Sequence, residues 1–377
     1  MNKFYLNRIK DYFFDLPSAH RYKNLLISII NKTKSASPTN SDRRHRNYFV
    51  FNSEPLIIFT SEHMSEIIEF SRRIGKNKKA YFFIYFWWTL YDSYDTIKNI
   101  FYHYKIHQKE FSNHRITFLI NDINEIPRLN RFHLPIKFLH QNAFVDVNIF
   151  KPIQMCKEYN VIYNARIEES KRHYLLKECN GISLLSAFIH DINENKIEYV
   201  DYIKNLLPGA DLLNYKYPKK LRDFNIYDGP PQLDEKETCK RINKAKVGVI
   251  LSAKEGACYA SIEYLLAGLP VVSTINIGGR NHFFDNRFCR IVPSHPKRIR
   301  EAIDELISLD ISPHFIREET IKKMKTHIVN IKSELGKIYK SNNVYYTKIE
   351  NDFERYFVNK MIINAQPFPK NFINDIK

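Results

Sequence analysis

The fold of this chain is decided by residues 247–280, VGVILSAKEGACYASIEYLLAGLPVVSTINIGGR. Residues 247–251 form an almost unbroken apolar run, which predicts a buried strand, and residues 259–267 predict a helix. Gly268, followed two residues later by a proline, marks the end of that helix, and residues 271–274 predict the next strand. The order strand, loop, helix, turn, strand indicates a parallel α/β unit.

The loop before this helix has the features of an anion-binding site. Gly256, Ala257 and Cys258 are small, so their backbone N–H groups can approach a ligand closely. The positive end of the helix dipole at this point favours a diphosphate. Glu255 in the loop and Glu263 inside the helix frame the site, and such carboxylates can accept hydrogen bonds from sugar hydroxyls.

The segment resembles the GT-B-fold retaining glycosyltransferases of the family-4 (group 1) type. Their signature is E-x7-E within a stretch like S..EG....EY..AGLPVV.T..GG. The matching residues here, in order, are Ser252, Glu255, Gly256, Glu263, Ala267, Gly268, Leu269, Pro270, Val271, Val272, Thr274, Gly278 and Gly279.

Two motifs upstream extend the resemblance to roughly residues 136–295. Residues 161–166, VIYNAR, followed by Lys171, are similar to the family's vGR....KG motif. Residues 142–146, NAFVD, followed by FKP at 150–152, are similar to the NGVD...F.P segment that ends the family's N-terminal domain.

The resemblance implies a role for each matched residue. Arg166 and Lys171 would clamp the donor diphosphate, Glu255 would orient the transferred sugar, and Glu263 would bind ribose. We therefore predict Glu255, Arg166 and Lys171 as catalytic residues. Predicted substrate-binding residues are Gly256, Ala257, Cys258, Tyr259, Glu263, Gly278, Gly279 and His140. For Tyr259, contact with the donor and packing at the helix start are both open.

The resemblance also implies a GT-B architecture, in which two Rossmann-like α/β domains face each other across a cleft. We place the N-terminal acceptor domain at 1–150, with a helical arm over 1–31 and a polar linker over 32–47. The nucleotide-sugar domain follows at 151–340, with a hinge near 148–158. A helical segment at 341–377 returns to the first domain.

Strands and helices alternate along both halves, as a parallel sheet requires. In the first half we predict strands at 48–52, 56–59, 80–88, 116–120 and 136–140 and helices at 64–74 and 95–109. In the second half we add strands at 160–164, 183–189 and 225–227 and helices at 235–245, 296–309, 316–339 and 347–363.

The acceptor side departs from the family pattern. Gly75 is the one glycine among the first 150 residues, so no glycine-rich loop is present there. Where many members have a histidine at a strand end, this chain has Trp87-Trp88-Thr89, and we expect both tryptophans in the core. Of the histidines that could substitute, His140 near the domain joint is preferred, although a structural role is the alternative; His63 and His114 are the others.

The net charge and the cysteine content limit the kinds of partner that the protein can have. The formal net charge of +17 attracts polyanions, among them anionic lipid headgroups and acidic glycans. The five cysteines show no Cys-x-x-Cys pair and no zinc-site spacing, so we expect reduced thiols, no bound metal and a cytoplasmic protein. No signal peptide or membrane span is visible, so any contact with an anionic membrane is peripheral.

From the sequence we predict a retaining glycosyltransferase. It would move a sugar from a UDP- or GDP-linked donor to a glycan or glycolipid acceptor in surface polysaccharide or lipopolysaccharide synthesis, with no cofactor besides the nucleotide sugar. Two alternatives remain open: a basic nucleic-acid-binding protein, which the E-x7-E context does not favour, and an inactive GT-B protein that binds glycan.

Overall fold

The computed structural model contains two six-stranded sheets. It describes residues 47–61, 63–91, 94–185, 194–212 and 233–344, together with Phe353, Phe357, Lys360 and residues 366–367. Several predicted elements lie outside the described residues: the arm at 1–31, all of the linker at 32–47 except its last residue, the second half of the strand at 183–189, and the strand at 225–227. Most of the predicted helix at 347–363 lies outside them as well.

The first sheet has the order β12-β1-β2-β3-β4-β5. Strands β2 to β5 are parallel, and β1 runs antiparallel to β2. Because β12 pairs with the first residues of β1, the C-terminal segment returns to this sheet. Its elements are β1 (Asn47–Ser53), β2 (Leu56–Thr60), α1 (Met64–Ile74), β3 (Ala80–Tyr85), α2 (Tyr94–Glu110), β4 (His114–Ile120), α3 (Ile126–Asn130), β5 (Ile136–Phe138) and β12 (Gln366–Pro367).

The second sheet is parallel throughout, with the order β11-β10-β9-β6-β7-β8. This is the order of a doubly wound Rossmann sheet, in which the chain leaves the middle in both directions. Its elements are β6 (Tyr159–Asn164), β7 (Ile182–Leu185), α4 (Glu194–Leu206), β8 (Asp211–Leu212), α5 (Glu235–Asn243), β9 (Ala245–Ile250), α6 (Tyr259–Leu266), β10 (Val271–Thr274), β11 (Cys289–Val292), α7 (Pro296–Ser308) and α8 (Pro313–Ser341).

A continuous apolar cluster joins the two domains. Phe144 and Phe150, from the segment that connects the sheets, pack in one core with Leu265 of α6 and Phe357 of the C-terminal segment. Arg317 of α8 donates hydrogen bonds to the carbonyl oxygens of residues 147, 150 and 266. These contacts fix the joint between the two domains.

Most of the predicted elements are confirmed to within three residues. The predicted strand at 80–88 is too long, because β3 ends at Tyr85 and Trp88 is 43% exposed. Five elements were not predicted: α3, α4, β8, β11 and β12. Polar residues weaken the periodic signal of α4, and the other four elements are too short to show one. No helix within the described ranges is both long and apolar enough to span a membrane.

Close packing of α6 on β9 generates a test of this fold. A Cβ at Gly248 would lie 2.3 Å from Cδ2 of Tyr264, a fully buried ring whose hydroxyl accepts a hydrogen bond from the Asn164 N–H. Because the ring is held at both ends, we expect Gly248→Ala to lower the free energy of unfolding by about 2 kcal/mol in urea titrations. Gly209→Ala, where the added Cβ meets nothing within 4 Å, is the control. Equal stabilities of the two variants would contradict this packing.

Candidate donor site

Two loops meet where the second sheet changes direction. Strands β6 and β9 are neighbours, and the chain continues from them toward opposite edges. In such a sheet the elements that follow the two strands diverge and leave a crevice at the carboxyl edge, which is where ligands bind. The loop after β6 carries Arg166 and Lys171, and the loop after β9 carries Glu255. The predicted cations and the predicted carboxylate therefore lie on the same edge.

Lys171 and Glu255 form a buried ion pair at this crevice. The Lys171 Nζ contacts Glu255 Oε1, and the two residues are 8% and 6% exposed. The Ser252 hydroxyl donates to the same carboxylate oxygen at 2.6 Å, which offsets part of the desolvation cost of the pair. Burial, followed by the negative charge of Glu255, raises the pKa of Tyr163, so its neutral hydroxyl donates to the Lys171 carbonyl at 2.7 Å.

Two buried guanidiniums lie beside the pair, and neither was predicted as a site residue. Arg172 donates to the Leu251 carbonyl oxygen and, at 2.7 Å, to the Thr274 hydroxyl. Arg280 donates to the carbonyl oxygens of Ser252 at 2.7 Å and Thr274 at 2.6 Å. Burial lowers the pKa of Arg280 to about 10, so it stays protonated at neutral pH. Three buried cations thus surround one buried carboxylate, which gives this edge a positive potential.

Their positions depend on tertiary contacts that the sequence pattern does not show. Arg172 has a φ of 53°, a left-handed conformation that a non-glycine residue rarely adopts. The family motif has glycine at this place, so the departure from the motif is the one signal that could have indicated Arg172. Arg280 follows the Gly-Gly loop directly, but nothing in the sequence indicates that its side chain is fully buried.

Arg166 is more accessible than its partner in the motif. Its side chain is 37% exposed, and its guanidinium contacts Glu168 at 3.2 Å. It lies two residues beyond the end of β6 but pairs with a surface carboxylate, whereas Lys171 pairs with Glu255. An anionic ligand can therefore replace Glu168 as the partner of Arg166 without leaving a buried carboxylate unpaired.

Glu263 is held by a lysine that the sequence analysis did not identify. Its Oε1 lies 2.7 Å from Lys360 Nζ, and its Oε2 accepts a hydrogen bond from the Asn164 side chain at 3.3 Å. Lys360 also contacts Glu235 at 2.9 Å. Burial opposes the charge on Lys360, but the two carboxylates outweigh it and raise the pKa of the lysine. The C-terminal segment therefore closes one side of the predicted ribose position.

The glycine loop packs on the Glu255 loop. Gly278 has a φ of 115°, and a Cβ there would lie 1.6 Å from the Glu255 carbonyl oxygen, so no other residue fits. Gly279 is similarly close to the Asn121 carbonyl oxygen of the first domain, at 2.0 Å. Gly256 abuts the backbone of Trp87, with a distance of 2.4 Å from its virtual Cβ to the carbonyl oxygen. These close approaches bring the two domains together at the predicted donor loop.

The start of α6 is also bound to the first domain. The Asn142 side chain donates to the carbonyl oxygens of Ala257 at 2.7 Å and Cys258 at 3.2 Å. Burial raises the pKa of Cys258 to about 12, so its thiol is protonated at neutral pH. Tyr259 packs at the helix start, where its hydroxyl donates to the Lys360 carbonyl at 3.4 Å and its ring is 6.5 Å from that of Trp87.

His140 lies at the joint, as predicted, and is fully buried there. Its Nδ1 accepts a hydrogen bond from the Asn142 N–H at 3.2 Å, so its Nε2 carries the proton that it donates to the Gly279 carbonyl at 2.9 Å. Burial and, to a smaller extent, the neighbouring His282 hold its pKa well below the usual value, so it is neutral. Its two nitrogens hold the glycine loop against the first domain.

The first domain also contains a buried carboxylate close to the glycine loop. Glu125 follows β4 and is 3% exposed. Its Oε1 accepts hydrogen bonds from the Thr89 hydroxyl at 2.5 Å and the Leu90 N–H at 2.6 Å. Thr89 in turn lies against Gly278, with 3.4 Å from its Cβ to the virtual Cβ of the glycine. The carboxylate thus fixes the loop that the first domain presents to the donor site.

The arrangement of the two sheets is shared with known enzymes. No family model matches the chain, and no curated protein matches its sequence. HepE of Anabaena in complex with UDP has a TM-score of 0.54 at 12% identity, over 87% of this chain and 85% of that one. Sucrose-phosphate synthase of Thermosynechococcus elongatus has 0.50 at 15% identity, over 74% and 72%. These solved structures are GT-B glycosyltransferases, so the chain has the predicted GT-B fold.

Within the described ranges, no group of three or more histidine, cysteine, aspartate or glutamate side chains is arranged to hold a metal ion.

Glu125 generates a pH-dependent test of this geometry. Burial, the largest influence, raises its pKa to about 7 from an ordinary 4.5. The folded state therefore binds more protons than the unfolded state between these values, so stability falls as the pH rises from about 4.5 to 7. Gln keeps an oxygen acceptor for Thr89 and Leu90 but cannot ionise. We expect the free energy of unfolding of Glu125→Gln, relative to that of the wild type, to be roughly 2 kcal/mol higher at pH 8 than at pH 5.

Urea titrations across this pH range measure the difference. Glu178→Gln, at an exposed position of the other domain, serves as the control and should follow the wild type at each pH. If the curves for Glu125→Gln and wild type run parallel from pH 5 to pH 8, the carboxyl group is not buried as described.

Proposed function

We propose that this protein is a retaining glycosyltransferase that uses a nucleotide-diphosphate sugar. The donor is UDP- or GDP-linked, and the acceptor is a glycan or glycolipid of surface polysaccharide or lipopolysaccharide synthesis. The observation that carries the proposal is the cluster of buried cations around the Lys171–Glu255 pair at the switch point of the second sheet. A departing nucleoside diphosphate requires positive charge that is already in place, and this cluster supplies it.

The proposed donor pose follows the charges. The diphosphate lies between Arg166, Lys171 and the start of α6, where cations and the helix dipole stabilise the charge that develops as the glycosidic bond breaks. Glu255, held by Ser252, accepts hydrogen bonds from hydroxyls of the transferred sugar. Ribose hydroxyls bind the Glu263 carboxylate, which the Lys360 ammonium contacts. No enzyme nucleophile forms a covalent bond in this scheme.

A further observation supports the nucleotide donor. HepE of Anabaena, which has a similar fold, has been solved in complex with UDP and glucose; its TM-score is 0.51 at 11% identity, over 74% of this chain and 81% of that one.

Arg166→Gln tests the diphosphate clamp without disturbing the core. Because its side chain is 37% exposed and pairs with a surface carboxylate, the variant should keep the wild-type melting temperature. Loss of a charge-assisted hydrogen bond should weaken UDP or GDP binding by about tenfold or more, measured by calorimetry. Lys177→Met, an exposed lysine of the following turn, is the matched control and should bind like the wild type. If the nucleotide affinity of Arg166→Gln is unchanged, the clamp is placed wrongly.

Glu255→Gln separates an enzyme from an inactive GT-B protein that binds glycan. The amide keeps the size of the side chain but removes the charge that balances Lys171, so we expect sugar transfer to fall by at least 100-fold, a loss typical of one preorganised charged group. Release of nucleoside diphosphate from a panel of UDP- and GDP-sugars measures it. If the protein is an enzyme, the variant should lose turnover but still bind nucleotide. If the wild type releases nucleoside diphosphate and the variant releases it at the same rate, the role assigned to Glu255 is contradicted.

A further inference from the structure

An exposed tryptophan lies beside the loop that carries Glu255. Trp88 follows the end of β3 and is 43% exposed, although the sequence analysis placed it in the core. The neighbouring Trp87 is partly buried, and its indole nitrogen is enclosed. A large aromatic face left in water loses the free energy that burial would provide, so its position requires an explanation.

The position of Trp88 relative to Glu255 gives that explanation. A Cβ at Gly256 would lie 3.0 Å from Trp88 Cα, so the tryptophan backbone abuts the residue that follows Glu255. The Nζ of Lys254, the residue before Glu255, lies 5.8 Å from the centre of the indole ring. Trp88 of the first domain therefore lies beside the two residues that flank Glu255.

The loop that carries Trp88 is fixed before any ligand binds. The Phe86 carbonyl oxygen accepts hydrogen bonds from the side chains of Asn121 at 2.9 Å and Gln141 at 2.7 Å. On the other side of the tryptophan, Thr89 is bound to Glu125. A rigid aromatic side chain loses little conformational entropy when a ligand binds, which favours a binding role.

Other exposed aromatic side chains differ in their surroundings. The ring of Tyr94 lies 4.5 Å from Lys98 Nζ and 5.7 Å from the Arg128 guanidinium, away from the Glu255 loop. Tyr102 is 63% exposed on α2. Trp88 combines exposure, a fixed backbone and contact with both residues that flank the predicted sugar-binding carboxylate.

We propose that Trp88 is the acceptor platform, on which a hexopyranose ring of the acceptor glycan stacks its apolar C–H face. The inference rests on the proposed function, since it places the acceptor hydroxyl opposite the sugar that Glu255 orients. The platform contacts the acceptor and not the nucleotide, so its loss should change acceptor binding alone.

Fluorescence gives a direct readout, because the chain contains two tryptophans. In the Trp87→Phe variant Trp88 is the sole emitter. In the presence of UDP or GDP, we expect a panel of methyl hexopyranosides and disaccharides to reduce the quenching of this emission by acrylamide. Kinetically, Trp88→Ala should raise the KM for the active glycoside by about tenfold, with the donor KM within twofold of wild type, and Trp88→Phe should recover most of the loss.

The outcomes separate the platform from the donor site. Tyr102→Ala, which removes an exposed aromatic side chain of the same domain, should match the wild type. If neither UDP nor GDP binds the wild type, the proposed function fails. If nucleotide binds but no glycoside protects Trp88, or if Trp88→Ala raises the donor KM equally, the platform is overturned. Protection of Trp88 by anionic phospholipid vesicles and not by glycosides would likewise replace it with a membrane contact.

Discussion

A lysine and a glutamate buried together must remain paired, because an isolated charge in the interior carries a large desolvation cost. Lys171 and Glu255 satisfy this constraint across the two central strands of the second sheet. Their pairing requires β6 and β9 to be neighbours in parallel register, and it requires both loops to leave the same edge. The switch point, the crevice and the positive potential all follow from that adjacency.

The excess of positive charge at this edge is supported by backbone oxygens. Arg172 and Arg280 donate to the ends of β9 and β10, so each guanidinium has partners without a second carboxylate. The remaining charge is then available to a ligand. A site built in this way stabilises an anion with little reorganisation, because its donors are oriented before the anion arrives.

Contacts between the domains use the same loops that would hold the donor. Gly256 lies against the backbone of Trp87 in the first domain, and Gly278 lies against the carbonyl oxygen of Glu255. His140 and Asn142, from the connecting segment, hold the glycine loop and the start of α6. The donor loops and the acceptor side are thus one packed unit, and a change at Thr89 or Glu125 would reach the predicted transfer site through direct contacts.

The sequence by itself determined the α/β class and the bounds of the most periodic elements, because apolar runs are local patterns. The family resemblance placed Lys171 and Glu255 in one predicted site, but it did not indicate that the two side chains pair. Tertiary structure decided which further charges join them. Lys360 is nearly 100 residues from Glu263 along the chain, and Arg172 and Arg280 are buried by strands that the pattern does not place beside them. Trp88 is exposed because β3 ends at Tyr85, where the loop turns toward the second domain. Such distant partners depend on how the two sheets meet, and periodicity carries no information about that.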